Sequence, residues 1–157
     1  MRALVHKKAI FCTIGYFHTL KSTNFVEHIS LYGTISNDRK IMIIDFNEMD
    51  ITILPNFKGG DMEFKANMFF DGTNRIFKGI LEPGASIGIH THEDSCEVIF
   101  ILEGNGTITE KEPDSSIEIE NPVSSGDCLY CPIGHTHSLR NTSAEGDLVF
   151  YAVVAKQ

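Results

Sequence analysis

The sequence predicts an all-β fold, a sandwich or a barrel, on three observations. From residue 42 onward, short apolar runs recur at intervals of about eight to twelve residues, punctuated by Gly-, Pro- and Asp-bearing turns. Some of these runs alternate apolar with polar residues, the period of a strand with one wet face. No long segment carries the apolar repeat of about 3.6 residues that marks a helix. A chain of 157 residues is read as one domain and is long enough for an autonomous core.

The elements follow in order. Ile41-Met42-Ile43-Ile44 opens the folded part, and an acidic turn leads to Ile51-Thr52-Ile53-Leu54. Phe64, Met68, Phe69 and Phe70 add apolar surface ahead of the core. Residues 76–81 form a strand that ends at the turn Glu82-Pro83-Gly84, and residues 86–92 form the next. Residues 98–102, Val-Ile-Phe-Ile-Leu, are apolar on both faces and need cover on both sides, from a second sheet or from a partner subunit. With the Phe and Met residues before them, they point to a homodimer. Glu103-Gly104-Asn105-Gly106 reads as a hairpin turn into residues 107–109. Residues 116–120 alternate Ile117 and Ile119 with Glu118 and Glu120, a half-solvated strand. Gly126-Asp127 turns into Cys128–Cys131, and residues 148–154 supply a long last strand.

Charge divides the chain. Residues 1–41 hold six Lys/Arg against Glu27 and Asp38, while residues 42–157 hold seven against nineteen acids. The first segment is therefore net +4 and the second net −12, which sum to the overall −8. That balance argues against a nucleic-acid partner. The apolar run 9–17 is too short for a membrane-spanning helix of about twenty residues. The bulky Tyr16-Phe17-His18 that closes it offers no small-x-small signal-peptide cleavage site. A transit peptide fits the absence of acids before Glu27. The simpler reading, adopted here, is an N-terminal extension over residues 1–41 with little fold of its own, and a folded domain over residues 42–157 that can start at Met42.

Four cysteines, Cys12, Cys96, Cys128 and Cys131, are too few for a disulfide framework in a chain of this length. Cys128-x-x-Cys131 has redox-motif spacing, but it sits where a strand runs into a turn. It is read as two semi-buried thiols in a reducing, cytoplasmic compartment.

The chemistry concentrates elsewhere. His90 and His92 are two apart, so a strand presents both on one face; Glu97 follows after a short connection, and a paired returning strand can set it opposite them. His137 comes forty-five residues after His92, from a distant strand behind the turn Pro132-x-Gly134. Three imidazoles and a carboxylate form a ligand set for one divalent transition metal, with positions left open for a ligand. Glu97 precedes a fully apolar run and is expected to be buried, where a carboxylate needs a partner or a metal.

At this point the chain resembles the cupin superfamily. Gly84, His90, His92, Glu97 and Gly104 match its first motif, Gly-x5-His-x-His-x4-Glu-x6-Gly. Gly126, Pro132, Gly134, His137 and Asn141 match its second, Gly-x5-Pro-x-Gly-x2-His-x3-Asn. The resemblance covers about residues 70–155 closely. It implies a small jelly-roll barrel (a double-stranded β-helix), often dimeric, with Mn, Fe, Ni, Co or Zn held by His90, His92, Glu97 and His137 inside the mouth. The basic extension lies outside that barrel.

Activity follows from such a site as an expectation. The favoured reading is a metal-dependent enzyme acting on a small oxygenated metabolite, of the oxygenase, decarboxylase, isomerase or lyase kind. The alternative is a non-catalytic module that binds a small ligand or sugar; a metal-stabilised structural protein is a third reading. Arg75 can hold a carboxylate or phosphate, and His135, in strand parity with His137, can serve as an acid or base beside the metal. Lys78 and Tyr130 are weaker candidates. Nothing resembles a helix-turn-helix.

Overall fold

A computed structural model describes residues 41–157; residues 1–40 lie outside the described residues, and with them the expectations for the basic extension and Cys12. Ten strands are described: β1 (Thr52–Pro55), β2 (Glu63–Phe70), β3 (Arg75–Leu81), β4 (Ser86–Thr91), β5 (Ser95–Glu103), β6 (Asn105–Lys111), β7 (Ile119–Ser124), β8 (Cys128–Cys131), β9 (Thr136–Asn141) and β10 (Leu148–Lys156). They form a six-stranded sheet in the order β1-β2-β3-β10-β5-β8 and a four-stranded sheet in the order β4-β9-β6-β7. Every pairing is antiparallel. From β3 to β6, and again from β7 to β10, successive strands alternate between the sheets, which is the jelly-roll path.

Strand parity fills the interior. Phe77, Gly79 and Leu81 of β3, Ile99 and Ile101 of β5, and Leu139 of β9 turn inward. Phe150 of β10 is fully buried at the centre, stacked on Phe64 with ring centroids 6.1 Å apart and edge-on to Phe77. A Cβ on Gly79 would overlap the Phe150 ring, so the glycine is what lets that ring lie flat on β3. Asn141, also fully buried, donates to the Leu81 and Gly146 carbonyls and accepts from the Ser143 N–H. It ties the ends of β3 and β9 to the loop before β10.

Several elements differ from their expected form. Ile41-Met42-Ile43-Ile44 is not a strand, and Ile41 and Ile43 are 81% and 83% exposed. A 3₁₀ turn, Phe46–Glu48, follows and lays Phe46 on Tyr151. Glu103-Gly104-Asn105-Gly106 is not a hairpin turn. Both edges of β5 are already taken by β10 and β8, so β6 crosses to the other sheet and pairs with β9 and β7. The strand expected over residues 116–120 begins only at Ile119, and both Ile117 and Ile119 are exposed. Pro122 is accommodated there because β7 is an edge strand.

Among the described residues the apolar β5 run is covered on one side only. Ile99 and Ile101 face the core, whereas Phe100 and Leu102 face outward at 47% and 40% exposure. Phe64, read as extra surface, belongs to the core, and Met68 faces the interior; of that group Phe69 takes the outward parity.

Candidate metal centre in the barrel mouth

Three segments supply the four side chains. His90 lies on β4 in register with His137 of β9, and a bulge between Ile87 and His90 sets its direction. His92 stands one residue past β4. Its backbone accepts from Gly134 N–H (2.7 Å) and donates to the His135 carbonyl (3.1 Å), so the Pro132–Gly134 turn fixes its position. Glu97 lies on β5, in the opposite sheet. β4 and β5 do not pair, so the expected hairpin-like approach is replaced by one across the barrel interior. The consequence for the ligand set is the same.

Ligand atoms of His90, His92, Glu97 and His137 all lie within 4.8 Å of one another, and His92, Glu97 and His137 are buried. His92 Nε2 and His137 Nε2 are 3.0 Å apart, and Glu97 Oε2 lies 3.1 and 2.9 Å from them. These separations are short enough for the four side chains to meet at one divalent ion.

The outer nitrogens support this reading. His90 Nδ1 lies 2.9 Å from the Gly88 carbonyl, which can only accept, so this nitrogen carries the proton and Nε2 keeps a bare lone pair. His92 Nδ1 meets Ser95 Oγ at 3.1 Å. His137 Nδ1 is buried without a partner among the described residues. Burial would raise the Glu97 carboxyl, but hydrogen bonds with His137 and His92 outweigh it and bring the group down to about 2. Burial lowers His90 against the opposing pull of the Gly88 carbonyl.

These shifts set a pH dependence. A lowered His90 means that the unfolded chain takes up a proton first, so its share of stability is complete above the ordinary 6.5 and falls away through the lower folded value. The Glu97 share is complete above 4.5 and is lost as pH falls through about 2. Protons also compete with metal for the imidazole lone pairs. Metal retention and melting temperature are expected to fall together from about pH 6.5 downward. A melting temperature that rises over this range in metal-replete protein contradicts the assignment.

The cluster opens onto a cavity of about 660 Å³. Phe57, Met68, Phe77, Ile87 and Leu139 are among its apolar walls, and Lys58, Arg75, Thr91, Glu93 and Asp94 mark its rim. Arg75 is where an anion-binding residue is useful: β3, β10 and β5 place Arg75, Val154 and Glu97 in one row across the sheet. Lys58 was not singled out from sequence. The loop that carries it presses Gly60 against the β4 backbone at Ser86 and Gly88, an approach that a Cβ on Gly60 or Gly88 would block. The closely spaced Gly59-Gly60 was the available signal.

Other candidates lie elsewhere. His135 sits in the turn before β9, half-buried, outside the cavity lining; its carbonyl, not its ring, serves the site. Lys78 and Tyr130 take the outward parity of their strands, with Tyr130 62% exposed. The x-x spacing on β8 turns Cys128 outward and exposed while Cys131 is buried, so the two do not form a pair, and the expected semi-buried Cys128 is fully at the surface. Burial, with the nearby Glu97 charge second, pushes the Cys131 thiol up to about 11, which makes it inert.

A jelly-roll barrel with a His₃Glu group in its mouth defines the class, and comparison with known proteins agrees. The cupin domain family matches residues 77–154. A protein named oxalate-binding protein from Thermotoga maritima is 29% identical over 119 residues, which cover 72% of this chain and 93% of that protein. The crystal structure of a predicted oxalate decarboxylase from the same organism superposes with a TM-score of 0.64 at 27% identity, covering 74% of this chain and all of the other. The cupin domain of Cnp3 from Schizosaccharomyces pombe shares the fold, with a TM-score of 0.56 at 12% identity over 75% of this chain and 76% of that one. The chain therefore carries a cupin domain on a cupin-type barrel.

Proposed function

We propose that this cupin is a metal-dependent enzyme acting on a small oxygenated carboxylate, with one divalent transition metal held by His90, His92, Glu97 and His137. The observation that carries the reading is convergence of four donor atoms within 4.8 Å on the wall of a cavity large enough for a metabolite. A six-coordinate ion held by these four side chains would keep two positions for substrate oxygens. A bound metal would supply Lewis acidity there. Ser95 and the Gly88 carbonyl orient two of the imidazoles, Arg75 offers a guanidinium to an anionic substrate, and Glu93 and Asp94 at the rim are the carboxylates available to move a proton. Asp94 also pairs with Lys156 at 3.1 Å, which leaves Glu93 the freer of the two.

The alternative, a non-catalytic ligand-binding cupin, draws support from the name of the Thermotoga relative and from the apolar character of most of the cavity wall. One experiment separates them. Protein purified without chelators is analysed for metal, then incubated with oxalate and with other small carboxylates while carbon dioxide release and oxygen uptake are followed. Metal-dependent turnover supports the enzyme; saturable binding without turnover supports the module; protein that holds no metal and is stabilised by none overturns both.

The remaining assignments are proposals of the same kind. Residues 42–157 form the functional unit. A second copy of the chain covers Phe100, Leu102 and Tyr130 on the outer sheet face, giving a homodimer. Sedimentation equilibrium tests this, and a monomer at micromolar concentration rejects it. Three free thiols, Cys96, Cys128 and Cys131, suit a reducing cytoplasm. No helix among the described residues is long and apolar enough to cross a membrane.

A further inference from the structure

We infer that the ligand is a 2-oxo or 2-hydroxy carboxylate carrying an apolar body, aryl or branched alkyl, rather than a bare two-carbon diacid. The inference rests on the metal-dependent reading of the cavity and narrows its substrate class. Three features of the cavity combine to give it.

The first is size against polarity. A cavity of about 660 Å³ falls in the range that encloses a molecule well beyond two carbons. Its histidines and carboxylates come from β4, β5, β9 and the turn between β4 and β5, while Leu54, Met68 and Phe77 line it from β1, β2 and β3. Oxalate is polar at every atom that it could turn toward that lining, and would leave the apolar surface to poorly bonded water. An apolar body displaces this water and is held by area alone.

The second feature is where the cation lies. Arg75 occupies the same row as Glu97, with Val154 between them, so the two backbones are two strand spacings apart, about 10 Å. Among the described residues no carboxylate pairs with Arg75; its guanidinium stacks on Phe70, 5.1 Å from the ring centroid. The stack holds the planar fork at the mouth, where it can take a carboxylate oxygen that the metal does not. Lys58 adds a second positive charge on the same rim, close over Phe57.

The third feature is the donor set: a six-coordinate ion held by these four side chains would keep two positions, enough for two oxygens on adjacent carbons. A 2-oxo or 2-hydroxy carboxylate presents such a pair at one end and an apolar substituent at the other. The carboxylate end then lies between the metal group and Arg75, and the substituent lies along Met68 and Phe57.

The test uses the full-length protein loaded with manganese(II), metal content verified, and isothermal calorimetry with oxalate, pyruvate and phenylpyruvate. Phenylpyruvate is expected to bind roughly tenfold or more tightly than pyruvate, the discrimination that added apolar contact typically provides. Arg75→Met, at an exposed position with little risk to folding, is expected to weaken both 2-oxo acids by roughly tenfold. Met68→Trp, which fills the apolar wall, is expected to weaken phenylpyruvate while sparing pyruvate. Equal or tighter binding of pyruvate or oxalate in metal-loaded protein overturns this inference and leaves the metal reading standing. An Arg75→Met protein with unchanged affinities also overturns it. Failure to load metal with phenylpyruvate still bound through Arg75 would remove the metal reading and retain the anionic, apolar-bodied ligand.

Discussion

Replacing His137 by alanine is expected to abolish stoichiometric metal binding and, with it, the stability that metal confers. The side chain is buried, its Nε2 lies 3.0 Å from His92 Nε2 and 2.9 Å from Glu97 Oε2, and no further His joins the group among the described residues. Loss of a mere outer partner of a ligand costs about 10–100-fold in affinity, so loss of the ligand itself costs more. At a free metal concentration a thousand times the dissociation constant, bound metal contributes about 4 kcal/mol to stability. For a domain of this size that is about 8–16 °C in melting temperature. Metal analysis and melting curves with and without metal make the check. The variant should melt at nearly one temperature under both conditions, whereas the parent should not. A variant that keeps one metal per chain and its full metal-dependent shift would show the assignment to be wrong.

Phe150→Ala is expected to carry the largest cost among simple core truncations, about 3–5 kcal/mol. The ring is fully buried and lies between Phe64 and Phe77 over the bare backbone of Gly79. Because the strands around it are fixed by ladders on both edges of β10, collapse into the void is restricted, and the cavity remains as part of the penalty. Against a total of about 5–15 kcal/mol this is a large fraction, and it acts through a residue that supplies no donor to the cluster. Urea unfolding with an unchanged slope and a markedly lower midpoint is the expected readout; a loss under about 1 kcal/mol would mean that Phe150 is not the centre of the core.

The same residues show what could be read from the chain and what could not. Turns at Glu82-Pro83-Gly84 and Gly126-Asp127, and strands such as β8, were legible because Gly, Pro and Asp punctuate locally and alternation is a local signal. Partner choice is not local. Gly104 looks like the corner of a hairpin, yet the strands it joins lie in different sheets because β5 has no free edge. Ile41–Ile44 looks like a strand but pairs with none among the described residues, and Ile41, Met42 and Ile43 stay exposed. Glu97 lies beside the histidines, but it reaches them across the barrel rather than along a pairing.

By itself the sequence determined an all-β chain, the turns that bend it, and four side chains of the kinds that could hold a metal, because each of these follows from residue type and short spacing. The tertiary structure alone decided which sheet each strand joins and that the donors converge within 4.8 Å. It also decided that Arg75 and Lys58 stand at the rim while His135, Lys78 and Tyr130 stay outside the cavity. The physical reason is that a strand leaves its main-chain edges to be satisfied by any other strand. Only closure of the whole barrel selects among those partners, and so selects which side chains share a cavity.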